Sequence, residues 1–171
     1  MHEEVPRSAE GRLIGIARRP RSRAPMEEIA FVDVATGGGL DGDHKGLKFP
    51  RRGVTILARE DWEAAIAGLA DLAGPVPLPW TTRRANLLVE GVVLPQAKGA
   101  ILRVGPLLLE VTAETYPCSR MEAAHRGLLR ALGPDWRGGV TCKVVEGGRI
   151  EAGDRVVIVS SPKPHRPKLP G

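Results

Sequence analysis

Apolar and polar positions alternate along this chain in short bursts. Residues 13–17 and 29–34 read as strands joined by a basic stretch at 18–25. Residues 54–58 form a short apolar run rich in β-branched side chains, the pattern of a buried strand. Trp62, Ile66 and Leu69 then recur at helical spacing, with Glu60 and Asp61 near the start where acids suit the helix dipole. Three prolines within residues 71–79 stop that helix. Three more strand-like runs follow at 86–89, 101–104 and 107–112, the last two joined by a tight Gly105-Pro106 turn.

Tyr116-Pro117-Cys118 breaks the strand pattern. Residues 121–132 carry one apolar face (Met121, Ala124, Leu128, Leu129, Leu132), interrupted at Gly127, so one helix or two short ones fit. The last strands lie at 139–145 and 154–159, joined by a turn-rich connection. Residues 36–52, rich in Gly and charge, read as an irregular loop. Seven or eight strands with two or three helices, and no regular βαβ alternation, predict a mainly β fold, an antiparallel barrel decorated with helices. The expected organisation is an N-terminal extension over 1–12, one barrel domain over 13–160, and a basic, Pro-rich, mobile tail over 161–171.

Composition narrows the class. A chain of 171 residues suits one domain, and 21 Gly with 15 Pro, spread rather than repeated, suit many turns. No apolar run reaches the roughly 20 residues of a membrane span, and the first dozen residues lack a signal-peptide core, so the expected location is the cytoplasm. Two cysteines are too few for a disulfide scaffold, and neither sits at zinc-ligand spacing. The net charge of +5 is concentrated at the ends: residues 1–25 and 162–171 together carry +6, leaving the middle near neutral. Basic ends allow a nucleic-acid module. With aromatics at 4%, no stacking platform is expected, and nucleic acid is the weakest of the partner readings.

Three stretches carry candidate chemistry. Gly39-Leu40-Asp41-Gly42-Asp43-His44-Lys45-Gly46 offers carboxylates, an imidazole and an ammonium on a pliant backbone, and equally fits a solvated turn. Thr81 to Asn86 presents Arg83, Arg84 and Asn86 at the mouth of a strand, suited to a phosphate or a heterocycle edge, or simply a polar strand end. Glu114 to Arg120 places Cys118 where strand gives way to helix, with Arg120 two residues on, a setting that favours a nucleophilic or metal-binding thiolate. A free cysteine also serves as a small buried hydrophobe, the expected role of Cys142.

Taken in order, these pieces resemble the MOSC domain, the C-terminal domain of molybdenum cofactor sulfurases, over about residues 13–159. The resemblance is carried by Gly-Leu-Asp-Gly-Asp-His (39–44), Arg-Gly-Val-Thr-Ile-Leu, Arg84-Ala85-Asn86-Leu87 with Gly91, Leu102 to Thr112, Pro117-Cys118, and the closing Gly-Gly-Arg-Ile-Glu-Ala-Gly-Asp-Arg-Val. It implies a β-barrel that binds molybdenum cofactor, with Cys118 as the catalytic residue that ligates molybdenum or holds a persulfide. It further implies Arg84 and Asn86 near the pterin and its phosphate, Asp43 and His44 at the rim, and Arg120 beside the cofactor.

The family's association with pyridoxal phosphate belongs to a desulfurase domain that these residues do not contain. An external cysteine desulfurase or an external reductase is therefore the expected partner, alongside a small-molecule substrate. The functional expectations are reduction of N-hydroxylated compounds at cofactor-bound molybdenum, or carriage of a Cys118 persulfide to a metal–sulfur assembly partner. The residues after Cys118 depart from the two-cysteine pattern of amidoxime-reducing relatives.

Overall fold

A computed structural model describes residues 9–73 and 78–162. The expected N-terminal extension lies largely outside these residues, as do most of the Pro-rich tail and its charges. Ten strands, β1 (Glu10–Arg18), β2 (Glu27–Glu28), β3 (Phe31–Val34), β4 (Val54–Ala58), β5 (Leu87–Glu90), β6 (Ile101–Val104), β7 (Leu107–Glu114), β8 (Val140–Glu146), β9 (Gly148–Glu151) and β10 (Arg155–Ser160), alternate with four short helices. The helices are α1 (His44–Lys48), α2 (Arg59–Ala73), α3 (Ser119–Ala124) and α4 (Leu128–Ala131).

Seven strands close a barrel in the order β1-β10-β6-β7-β8-β4-β5 and back to β1. Every neighbour pair is antiparallel except β4 and β5, which α2 connects as a parallel crossover. Closure removes the free sheet edges that would otherwise recruit other chains. β2 extends β1 as a short ribbon, and β3 pairs with β9 in a separate two-stranded sheet.

Period-2 alternation decides what faces inward. On β5, Leu87 and Val89 enter the barrel core while Leu88 points outward; on β4, Val54, Ile56 and Ala58 enter and Leu57 points outward. Those two outward leucines are still buried, because α2, α3 and α4 lie over them with Trp62, Leu69, Met121, Leu128 and Leu132. This double cover is why β4 reads as a continuous apolar run rather than an alternating one. Each large side chain in that outer layer contributes about 2–3 kcal/mol of burial.

Several sequence expectations sharpen here. The expected strands at 13–17 and 29–34 are found, with β1 running further in both directions. The 121–132 segment divides into α3 and α4, because Gly127 adopts a left-handed φ of 89°. The segment 36–52, expected to be wholly irregular, contains α1 and a 3-10 turn at Pro50–Arg52. Its glycines serve packing: a Cβ on Gly46 would meet the Gly39 Cα at 2.7 Å, so helix and loop can touch only as glycine on glycine. The turn-rich link at 146–153 holds β9. Among the described residues no helix is long and apolar enough to cross a membrane.

Candidate functional site

The site grows from the places where strands stop. β1 ends at Arg18 and delivers Arg19; α1 delivers Lys45; the turn before β4 delivers Arg52; the 3-10 turn Trp80–Arg83 before β5 delivers Arg83 and Arg84. β7 ends at Glu114 and leads through Thr115 and Tyr116 to Cys118 and Arg120 at the start of α3. Together with Thr141 on β8 these residues line a cavity of about 300 Å³. The Cys118 thiol is exposed, and Tyr116 stands 74% exposed beside it.

Arg83 is the framework of this pocket. It is only 5% exposed; its Nε donates to the Gly138 carbonyl at 3.2 Å, and its Nη2 donates to the Thr115 carbonyl at 2.8 Å and the Tyr116 carbonyl at 3.4 Å. One guanidinium thus ties the segment carrying Cys118 to the loop entering β8. Gly138 permits it, since a Cβ there would lie 2.4 Å from the Thr115 oxygen. Arg84 caps the same turn in a left-handed conformation, φ 65° and ψ 26°, uncommon for a side chain of its size.

The cations crowd one another. Burial holds Lys45 below the ordinary lysine value, and repulsion from Arg52, Arg83 and Arg19 adds to it against the pull of Asp43. Burial likewise lowers Arg84, with Arg19 and Arg120 adding and Cys118 opposing. Among the described residues Glu114 is the only carboxylate lining the cavity; burial raises its pKa, opposed by a hydrogen bond with Tyr116. None of Arg19, Lys45, Arg52, Arg83, Arg84 and Arg120 forms an ion pair among the described residues. Arg19 Nη1 and Thr115 Oγ1 are buried without a hydrogen-bond partner. A pocket of this kind is complementary to an anion.

The sequence-predicted residues divide into two groups. Cys118, Arg84 and Arg120 line the cavity. Asn86 does not: it is 3% exposed, and its Oδ1 accepts from the Thr55 N–H and hydroxyl at 3.0 Å each while its Nδ2 donates to the Ala17 carbonyl at 3.2 Å. It pins β1 and β4 to the start of β5 and so acts on the pocket through Arg84, two residues earlier. Asp43 and His44 also stand behind the lining. Asp43 Oδ1 accepts from the Arg19 N–H at 2.9 Å, and the His44 N–H donates to the Arg19 carbonyl at 2.8 Å. That two-point clamp fixes the backbone from which Arg19 reaches the cavity.

Arg19 and Arg52 were not named as site residues from sequence: Arg19 lies in a basic stretch with no local motif, and Arg52 opens the Arg-Gly-Val-Thr-Ile-Leu piece of the resemblance without a role assigned to it. Only their convergence on Cys118 marks them. Cys142 is fully buried in the barrel core and burial pushes its thiol pKa up, the inert role expected of it. Among the described residues no group of three or more His, Cys, Asp and Glu could hold a metal ion.

The MOSC domain matches residues 42–157, a span that includes the clamp, the arginine turn, the cysteine and the closing strands. The chain belongs to the MOSC domain family. No curated protein matches it. Among solved structures it is similar to the YuaD protein from Bacillus subtilis, with a TM-score of 0.69 at 17% identity, covering 86% of this chain and 94% of that one. It is also similar to YiiM from Escherichia coli (TM-score 0.62, 19% identity, 87% and 70% covered) and to YiiM from Geobacillus stearothermophilus (TM-score 0.59, 19% identity, 88% and 73% covered). At these identities the likeness establishes the fold. The MOSC family is associated with molybdenum cofactor binding, and the residues of this pocket fit such a group: unpaired guanidinium groups and orphaned donors for its anionic parts, and one soft sulfur for its metal.

Proposed function

We propose that this MOSC protein binds molybdenum cofactor in the cationic pocket, with Cys118 as the protein ligand to molybdenum, and that it reduces N-hydroxylated compounds with electrons from an external reductase. The observation that carries the reading is an exposed thiol opening onto six cations, none in an ion pair among the described residues, against one lining carboxylate, Glu114. Arg84 and Arg120 hold the phosphate and pterin side of the cofactor, Arg83 fixes the Cys118 segment, and Arg19, held by Asp43 and His44, supplies a further guanidinium. When bound, the cofactor supplies two-electron redox chemistry at its metal. Reduction of an N-hydroxyl group to an amine consumes two electrons and two protons and releases water. Burial raises the pKa of the Glu114 carboxyl at the pocket wall, against a hydrogen bond with Tyr116, so it gives up its proton less readily than an ordinary glutamate does.

The test is expression in a cofactor-producing host followed by analysis of bound molybdenum and pterin. Both are expected in the wild type, and molybdenum is expected to be lost in Cys118→Ser. Absence of both from the wild type, or unchanged retention in the variant, overturns the reading.

The exposure of Cys118 favours a second reading, in which it carries a persulfide to a metal–sulfur assembly partner. After incubation with a cysteine desulfurase, mass spectrometry then finds one added sulfur on Cys118. Sulfur on Cys142, or on neither cysteine, ends that idea.

A further inference from the structure

Elsewhere on this surface six basic side chains have acidic partners, among them Arg18 with Glu27 at 2.7 Å, Arg59 with Glu90 at 2.7 Å and Lys143 with Glu110 at 3.1 Å, while others, such as Arg51 and Arg130, have none among the described residues. What sets the surroundings of Cys118 apart is convergence: six cations without such a partner share one cavity. Their charges repel one another there. Arg19 Nη1 and the Thr115 hydroxyl are buried without a hydrogen-bond partner among the described residues, as is the acceptor Asp43 Oδ2 behind Arg19. A small, multiply charged oxygen anion beside the Cys118 thiol would complement these groups.

We propose that Cys118 takes sulfane sulfur directly from a dianionic oxoanion donor of the thiosulfate class, giving the chain a sulfurtransferase activity of its own. This goes beyond the persulfide-carrier reading, in which a separate desulfurase loads the cysteine. The Cys118 thiol releases its proton to water, and the thiolate attacks the outer sulfur of thiosulfate. A new S–S bond forms at Cys118. The S–S bond of thiosulfate breaks with its electron pair leaving on sulfite. One thiolate and one dianion become one persulfide anion and one dianion, so charge balances and no external oxidant or reductant enters.

The barrier to such a step is electrostatic. A thiolate must approach a dianion, and negative charge then accumulates on the departing sulfite oxygens. Fixed guanidinium groups and a hydroxyl donor around the thiol lower both costs without reorganising. The cavity, about 300 Å³, accommodates an ion of this size with room for the departing sulfite. Arg52 and Arg120 are exposed at the mouth and draw the dianion in. Arg19, Arg83 and Arg84 lie deeper.

The experiment uses the full chain produced in a host unable to make molybdenum cofactor, with thiosulfate as the probe. One added sulfur on Cys118 and release of one equivalent of sulfite are expected, with neither in Cys118→Ser. The double variant Arg52→Ala/Arg120→Ala removes two exposed side chains that make no hydrogen bond among the described residues. It should melt no lower than wild type and load at least about tenfold more slowly, with partial recovery in the double lysine variant. The wild-type loading rate should fall as ionic strength rises. Polysulfide serves as a second donor. If polysulfide loads Cys118 and thiosulfate does not, or if the double variant loads as fast as wild type, this inference is wrong while the carrier reading stands. If neither donor loads Cys118, this inference is wrong, and loading by a cysteine desulfurase judges the carrier reading separately. Metal analysis of the protein from a cofactor-producing host judges the molybdenum reading separately.

Discussion

Replacing Asn86 with alanine tests whether this residue is a pillar of the barrel or a ligand for something in the pocket. Its side chain makes three hydrogen bonds inside the wall, accepting twice from Thr55 and donating once to Ala17. Alanine leaves the Thr55 N–H and the Ala17 carbonyl without these partners at a site that is almost dry. Each buried group so stranded costs about 1–3 kcal/mol, so the variant should lose about 3 kcal/mol in all. For a chain of this length that is about 6–12 °C in melting temperature. The Thr55 hydroxyl also loses its acceptor, although it still accepts from the Asn86 N–H at 3.0 Å.

Asn86→Ala and Thr55→Val therefore remove parts of one network, and the double variant should cost about 1 kcal/mol less than the sum of the singles. Urea titration of the four proteins, with coincident fluorescence and circular dichroism transitions, gives the numbers. An Asn86→Ala protein as stable as wild type, yet deficient in anion binding, would refute the structural role and return Asn86 to the pocket.

The pocket itself should behave as a strained, anion-seeking site. Lys45→Gln should make the free protein more stable at neutral pH while weakening anion binding. The folded-state pKa of Lys45 is lowered, so its charge is penalised in full below that value, and the penalty fades as pH rises towards the ordinary 10.5. The gain from Lys45→Gln, read by thermal melts across pH, should shrink over that window; a gain that grows with pH contradicts the assignment. Sulfate at ten times its Kd should stabilise the wild type by about 1.4 kcal/mol, roughly 3–5 °C, and equal ionic strength of chloride should not; loss of this shift in Arg84→Ala is the expected control. Gly139→Ala should cost at least about 3 kcal/mol, because φ is +93° and a Cβ would lie 2.1 Å from the Ile56 carbonyl oxygen; a stable variant would mean the entry to β8 is looser than described.

Much of the barrel was legible in the linear pattern, because a strand buried on one or both faces has to declare itself in its own residues. The runs that became β1, β4, β6 and β7, the helix around Trp62, the break at Tyr116-Pro117-Cys118 and the inert setting of Cys142 all follow from local apolar periodicity and backbone chemistry. So did Cys118, Arg84 and Arg120 as residues to watch. α1 was not legible: five residues are too few to show a period, and this helix depends on the Gly39–Gly46 contact and on the Asp43–Arg19 clamp rather than on propensity.

Only the tertiary structure decided which polar residues face the cavity and which hold it up. Asn86 and Arg84 are two positions apart in one motif, yet closure of β1 and β4 against β5 turns one into the wall and leaves the other at the opening. Arg19, Lys45 and Arg52 come from three separate segments, and although Lys45 and Arg52 lie in stretches that stood out, nothing local shows that the three charges meet. A pocket made by strand ends draws its charge from distant parts of the chain. Its electrostatics exist only once the barrel has closed.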